Sequence, residues 1–217
     1  MLRAVLTLVL LSLSAPGLVH AQGFKFSDED KAEQAQEAEK QARVSALLQT
    51  PCRNKIKNQK IMVLIGESRN GVVHASQSAY SSHFDAINSR LQALGLKTAT
   101  QAQIRQQVAQ AEIDAYFKND PDAAISAAKR LAAQYILRGV IRTHAGRNLA
   151  INLNQVNISM NFTLTGANGR MISQTSAENA SYAGQDTSGM ALTLINERAD
   201  EVVATLYSDY CRRAGVH

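Results

Sequence analysis

The sequence predicts an α+β fold, an α/β sandwich. Its mixed sheet ends in an antiparallel C-terminal meander, and its helices pack mainly on one side. Three observations predict it. Residues 60–66 (KIMVLIG) form a short, continuous apolar run rich in branched side chains, as expected of a strand covered on both faces. Val156, Ile158, Met160, Phe162 and Leu164 are apolar while Asn157, Ser159, Asn161 and Thr163 between them are polar, the period of a strand with one face on a core and the other in water. Ala191, Leu194, Ile195, Ala199, Val202, Leu206 and Tyr210 make one stripe along a long last helix.

The first segment reads as a leader. Arg3 precedes an apolar run over residues 4–13, and Pro16, Gly17 and Val19-His20-Ala21 follow, so a secretory signal peptide is expected over 1–21 with cleavage after Ala21. The run falls far short of the ~20 residues a membrane-spanning helix needs, and no other segment reaches that length. No Cys stands near the cleavage position to accept a lipid. The expectation is a periplasmic chain, or else a secreted one, with neither a transmembrane segment nor a lipid anchor.

Residues 22–50 are rich in Ala, Gln, Glu and Lys and read as a polar helical or partly ordered N-terminal extension, ended by Thr50-Pro51. Val44, Leu47 and Leu48 are its docking residues. A single domain is expected over 51–217.

Within that domain the order is β-α-β-α-α-β-β-β-α. After the first strand comes a polar loop through Gly71 and Ser76. Ser82 is a candidate N-cap for a helix carrying Phe84, Ile87, Leu91 and Leu94, with Gly95 as its C-cap. A short strand over 96–99 and a helix over 101–117 come next. A third helix has Asp120 as N-cap and Pro121 at its first position. Strand character returns over 135–143. Past the alternating strand, Gly166-Ala167-Asn168-Gly169 is turn chemistry, and residues 170–182 are its returning partner.

The net charge of +5 is spread, with Arg138, Arg142 and Arg147 around one strand and Arg212 and Arg213 at the end. Without a long basic run, and with few aromatics, nucleic acid is not expected as a partner. The two cysteines, Cys52 and Cys211, are expected to form a disulfide tying the two ends of the domain together, free or intermolecular thiols being the alternative.

No set of residues in the sequence supports catalytic chemistry, and an enzyme is not expected. His74 and His83, with Asp85, match no metal-ligand spacing, so no metal is expected. Glu67 and Ser68 end the first strand, where α/β enzymes often keep functional groups. Gly66 and Gly71 nevertheless form neither a Walker A loop nor a dinucleotide fingerprint, no nucleophile elbow is present, and no cofactor is expected. An envelope hydrolase would need Glu67, His74 and His83 together in one cleft, within about 10 Å of one another.

Residues 132–141 (AAQYILRGVI), the alternating strand, residues 165–173 (TGANGRMIS) and residues 188–192 (SGMAL) opening a long helix resemble a superfamily of bacterial envelope domains. It includes the curli secretion component CsgG, LpoB-like activators of penicillin-binding proteins, the N-terminal domain of TolB and the flagellar assembly protein FlgT. The resemblance spans about residues 60–211 and implies a non-enzymatic part of a cell-envelope machine. CsgG and LpoB are lipoproteins, unlike the chain expected here. The pore-forming insertions of CsgG have no counterpart, so a curli pore is not expected.

The resulting expectation is a non-enzymatic periplasmic accessory protein that binds another envelope protein or assembly, of the cell-wall synthase activator, secretion or flagellar assembly type. Candidate partner-binding residues are Glu67, Ser68, Tyr80, Asn157, Ser159 and Asn161, with Tyr80, Tyr182 or Phe84 as anchors. The alternative is a periplasmic small-ligand or glycan-binding domain, which needs an aromatic-lined pocket. An aromatic content of 5% without Trp counts against it.

Overall fold

The structure is a computed structural model that describes residues 26–77, 81–150, 152–183 and 186–213. The expected signal peptide and Tyr80 lie outside the described residues. Two compact units are present, residues 1–37 and 38–217. In the first, the described residues are helical and belong to α1 (Phe26–Leu48). In the second, Val44 of the same helix is buried, Leu47 and Leu48 are half-buried, and the helix stops just before Thr50-Pro51.

The remaining elements run α2 (Arg53–Ile56), β1 (Lys60–Arg69), β2 (Val72–His74), α3 (Ser81–Ala93), β3 (Lys97–Thr98), α4 (Gln101–Gln107), α5 (Gln110–Phe117), α6 (Pro121–Arg130), β4 (Tyr135–Asn148), β5 (Leu153–Gly166), β6 (Met171–Ala183) and α7 (Thr187–Arg213). Among the described residues the strands form one six-stranded mixed sheet of order β2-β1-β4-β5-β6, with β3 beside the start of β1. β1 is parallel to β3 and β4, and β4, β5 and β6 are the antiparallel meander. This is the predicted α+β class.

Chain reversal decides where the helices go. The crossover through α3 carries the chain to one side of β1, and the crossover through α4, α5 and α6 returns it to the other side. With the right hand that crossovers between parallel strands take, the two lie on opposite faces of the sheet. α3 and the long α7 cover the face bearing Val63, Leu137, Met160 and Phe162. The short helices cover the other face only over β1 and the first half of β4, where the Arg138 guanidinium sits 5.5 Å and 5.2 Å from the ring centres of Tyr116 and Phe117. β1 is therefore buried on both sides, with Met62, Val63, Leu64 and Ile65 at most 1% exposed.

Three boundaries correct the sequence reading. The polar loop after β1 contains a strand: Asn70 and Gly71, with φ of 51° and 79°, form a two-residue turn that pairs Arg69 with Val72. The helix expected over 101–117 is two, because Val108 and Ala109 are extended and the chain bends to bury Ile104, Val108 and Ile113 together. Neither Gly nor Pro marks that bend. The second helix of the domain begins at Ser81, so Ser82 lies inside it and is not its N-cap. Other local signals appear as read. Gly95 (φ 97°) ends α3, and the Asp120 carboxylate accepts from the amides of Asp122 (3.1 Å) and Ala123 (3.4 Å) at the start of α6.

Candidate functional site

Two regions collect the candidate residues. The first is the C-terminal end of β1, where Glu67 stands directly opposite His74 of β2, so their side chains are cross-strand neighbours on one face. His83, in the first turns of α3, lies within electrostatic reach of Glu67. Burial lowers its imidazole from the usual value, and the Glu67 carboxylate pulls in the opposite direction. The three groups a hydrolase would need thus lie toward the C-terminal end of β1, where burial disfavours the protonated His83 imidazole and the Glu67 carboxylate favours it. Among the described residues no group of three His, Cys, Asp or Glu side chains is placed to hold a metal ion. Ser68 is only 4% exposed, and Phe84, offered as an anchor, is 2% exposed and belongs to the core.

The loop leading to α3 is pinned by glutamines that the sequence reading passed over. β2 and β3 pair only with the two ends of β1 and leave Ile65 between them without a strand partner on that edge. The buried Gln77 side chain fills the gap. Its Oε1 accepts from the Ile65 amide (3.2 Å), and its Nε2 donates to the carbonyls of Ile65 (2.9 Å) and Ala75 (2.7 Å). Gln101 in turn donates to the Gln77 carbonyl (2.9 Å).

The second region is the open half of the sheet. Successive rows across β4, β5 and β6 place Arg142, Ser159 and Glu178 side by side, then His144, Asn157 and Ala180; Asn161 stands beside Ser176. These residues face away from α7, beyond the reach of α5 and α6. Arg142, His144, Asn161 and Glu178 are exposed, and Asn157 and Ser159 are half-buried. A shallow hollow of about 500 Å³ is lined by Arg142, His144, Asn157, Ser159 and Glu178, reaches Arg198 of α7 at its margin, and does not include Asn161. The structure therefore brings Asn157, Ser159 and Asn161 onto one face; Glu67, level with Ile141 and Met160, is on the other face, and Ser68 is buried at the end of β1. The hollow's cationic members were missed as site residues because a one-dimensional reading pools all the arginines. Arg138 has the same strand parity as Arg142, yet it donates to the Phe117 carbonyl (3.0 Å) under α5.

The space between α3, α7 and the sheet is small and apolar, about 30 Å³ lined by residues such as Leu91, Leu137, Leu164 and Tyr207. That volume holds about one water, against the roughly 300 Å³ or more of a small-molecule pocket. Cys52, just before α2, and Cys211, near the end of α7, are joined by a disulfide with Cα atoms 5.7 Å apart.

No family model matches this chain, and neither does any characterised protein. Among solved structures it is similar to a lipoprotein from Neisseria meningitidis at 13% identity, over 66% of this chain and 97% of that one, with a TM-score of 0.46. It is similar to the PelC dodecamer from Paraburkholderia phytofirmans at 16% identity, over 70% and 88% of the two chains, with a TM-score of 0.41. It is also similar to the LpoB C-terminal domain from Salmonella enterica at 17% identity, over 60% and 93%, with a TM-score of 0.38. LpoB is one of the four families in the sequence resemblance; CsgG, TolB and FlgT rest on the sequence patterns alone. Likenesses of this extent are general ones and assign no function.

Proposed function

We propose that this chain is a non-enzymatic accessory protein of the bacterial envelope, exported by its leader, that binds another envelope protein through the open face of β4, β5 and β6. The observation that carries this reading is the uncovered polar sheet surface around Asn157, Ser159 and Asn161, with Arg142, His144 and Glu178 set among the amides. Such a surface offers paired donors and acceptors over several strands and no enclosed pocket, which suits a macromolecule better than a metabolite. The Cys52–Cys211 bridge fits an oxidising compartment. Glu67, level with Ile141 and Met160, belongs to the opposite face of the sheet and is the secondary candidate.

A photoreactive side chain placed at Asn161, compared with one at the exposed Lys129 on α6, tests this in cells. Reproducible capture of one and the same envelope protein from position 161 and not from 129 is the expected result. Equal capture from both positions, or none from 161, would remove the sheet face from consideration.

A further inference from the structure

Neither the core nor the proposed docking face explains the far end of the β4–β5 hairpin. β1 pairs with β4 only over residues 135–141, so residues 142–148 have β5 as their one strand neighbour and carry the hairpin past β1. At its end Leu149 is 86% exposed, and nearby Leu153 and Tyr182 are 47% and 50% exposed. Leu153 pairs with Asn148, and Tyr182 pairs with Gln155, which sets Leu153 and Tyr182 on the same open face, one diagonal apart. Large apolar side chains at a hairpin end, where Asn, Asp or Gly ordinarily stand, mark a surface that meets something.

Charge narrows what it meets. No Asp or Glu occurs between Asp122 and Glu178, so β4 and β5 carry no carboxylate at all, while Arg142 and Arg147 on β4 are exposed. Leu149 and Leu153 stand at the end of the hairpin, Tyr182 lies one diagonal from Leu153, and Arg142 and Arg147 flank the hairpin on its two faces. In an anionic bilayer surface the leucines reach the acyl boundary, the phenol sits at headgroup level, and the guanidiniums meet lipid phosphates. We propose that the β4–β5 hairpin end, through Leu149, Leu153 and Tyr182 with Arg142 on the face of Leu153 and Tyr182 and Arg147 on the opposite face, docks end-on on an anionic lipid surface. A bound envelope partner on the neighbouring sheet face would then be held close to the membrane.

Co-sedimentation of the full chain, as exported, with vesicles of phosphatidylglycerol and phosphatidylcholine or of phosphatidylcholine alone tests this. The anionic vesicles should retain several-fold more protein, and salt should reduce that excess. The double variant L149S/L153S should lower the bound fraction about tenfold with an unchanged unfolding midpoint, since both side chains are surface groups. R147E should erase the preference for phosphatidylglycerol. Equal retention of the wild type and the double variant, or no retention above a vesicle-free control, would overturn the proposal. So would a concentration-dependent dimer in light scattering that L149S/L153S disperses, because the leucines would then be covered by a second copy. Capture from position 161 should survive the double variant, which separates this proposal from the protein-binding one.

Discussion

Arg138 and Gly139 show how much a single position can depend on what lies above it. Arg138 reads in sequence as one of three arginines around one strand, yet it lies against the rings of Tyr116 and Phe117, while Arg142, on the same face, is open to water. Gly139 is the small residue of the apolar face. A Cβ there would stand 2.5 Å from Phe162 Cε1 and 2.7 Å from Ile65 Cδ1, both in fully buried side chains. Packed rings and branched chains yield little, so G139A should destabilise the fold by about 1–3 kcal/mol, read from the urea midpoint at constant slope. An unchanged midpoint would mean that the core around Phe162 is looser than these contacts imply. The neighbours of Gly139 across the sheet are set by register, which is why the glycine's role was not legible from residues 132–141.

At the scale of elements, local chemistry marked beginnings and ends better than it marked bends. Asp120-Pro121 starts α6 as read, and D120A should cost about 0.5–2 kcal/mol in chemical unfolding, whereas D120N, which keeps an acceptor oxygen, should lose only a fraction of that. If both variants unfold alike, the two amide hydrogen bonds to Asp120 contribute nothing. Asn70-Gly71 carried a hairpin signal that a polar-loop reading overlooked, and β2 is the consequence. The break at Val108 had no such mark. The capping box of Thr100 and Gln103 starts α4, the Glu112 carboxylate accepts from the Ala109 amide to start α5, and a buried valine between them turns inward. Capping signals name where a helix begins. Where an uninterrupted helical sequence is cut is decided by the surface it must cover.

On the scale of the whole molecule the disulfide closes nearly the full domain, because Cys52 and Cys211 are 159 residues apart in sequence. The Tyr207 hydroxyl accepts from the Cys52 amide (3.3 Å) and donates to the Thr50 carbonyl, so the ends remain tied without the bridge. The double variant C52S/C211S should therefore still fold while losing about 2–5 kcal/mol, chiefly through the larger freedom of its unfolded chain. A loss under about 0.5 kcal/mol in the urea midpoint would place the bridge's role outside stability. The candidate site belongs to this scale too. Asn157, Ser159 and Asn161 were legible from alternation alone, but alternation does not tell which half of a face the helices leave bare. That follows from the length of β4 beyond β1 and the reach of α5 and α6.

By itself the sequence determined the class of fold, the buried and wetted faces of β5, the C-terminal end of α3 and the start of α6, and it favoured the pairing of its two cysteines. These depend on periodicity, capping groups and composition, all of which act within a few residues or through residue counts. The tertiary structure alone decided that helices lie on both faces at β1 but on one face at β6, that Arg138 is half-buried under α5 and Arg142 is exposed, and that Glu67 stands opposite His74 and within electrostatic reach of His83. Each of these is a consequence of crossover handedness and strand register, which bring together residues that no local pattern connects.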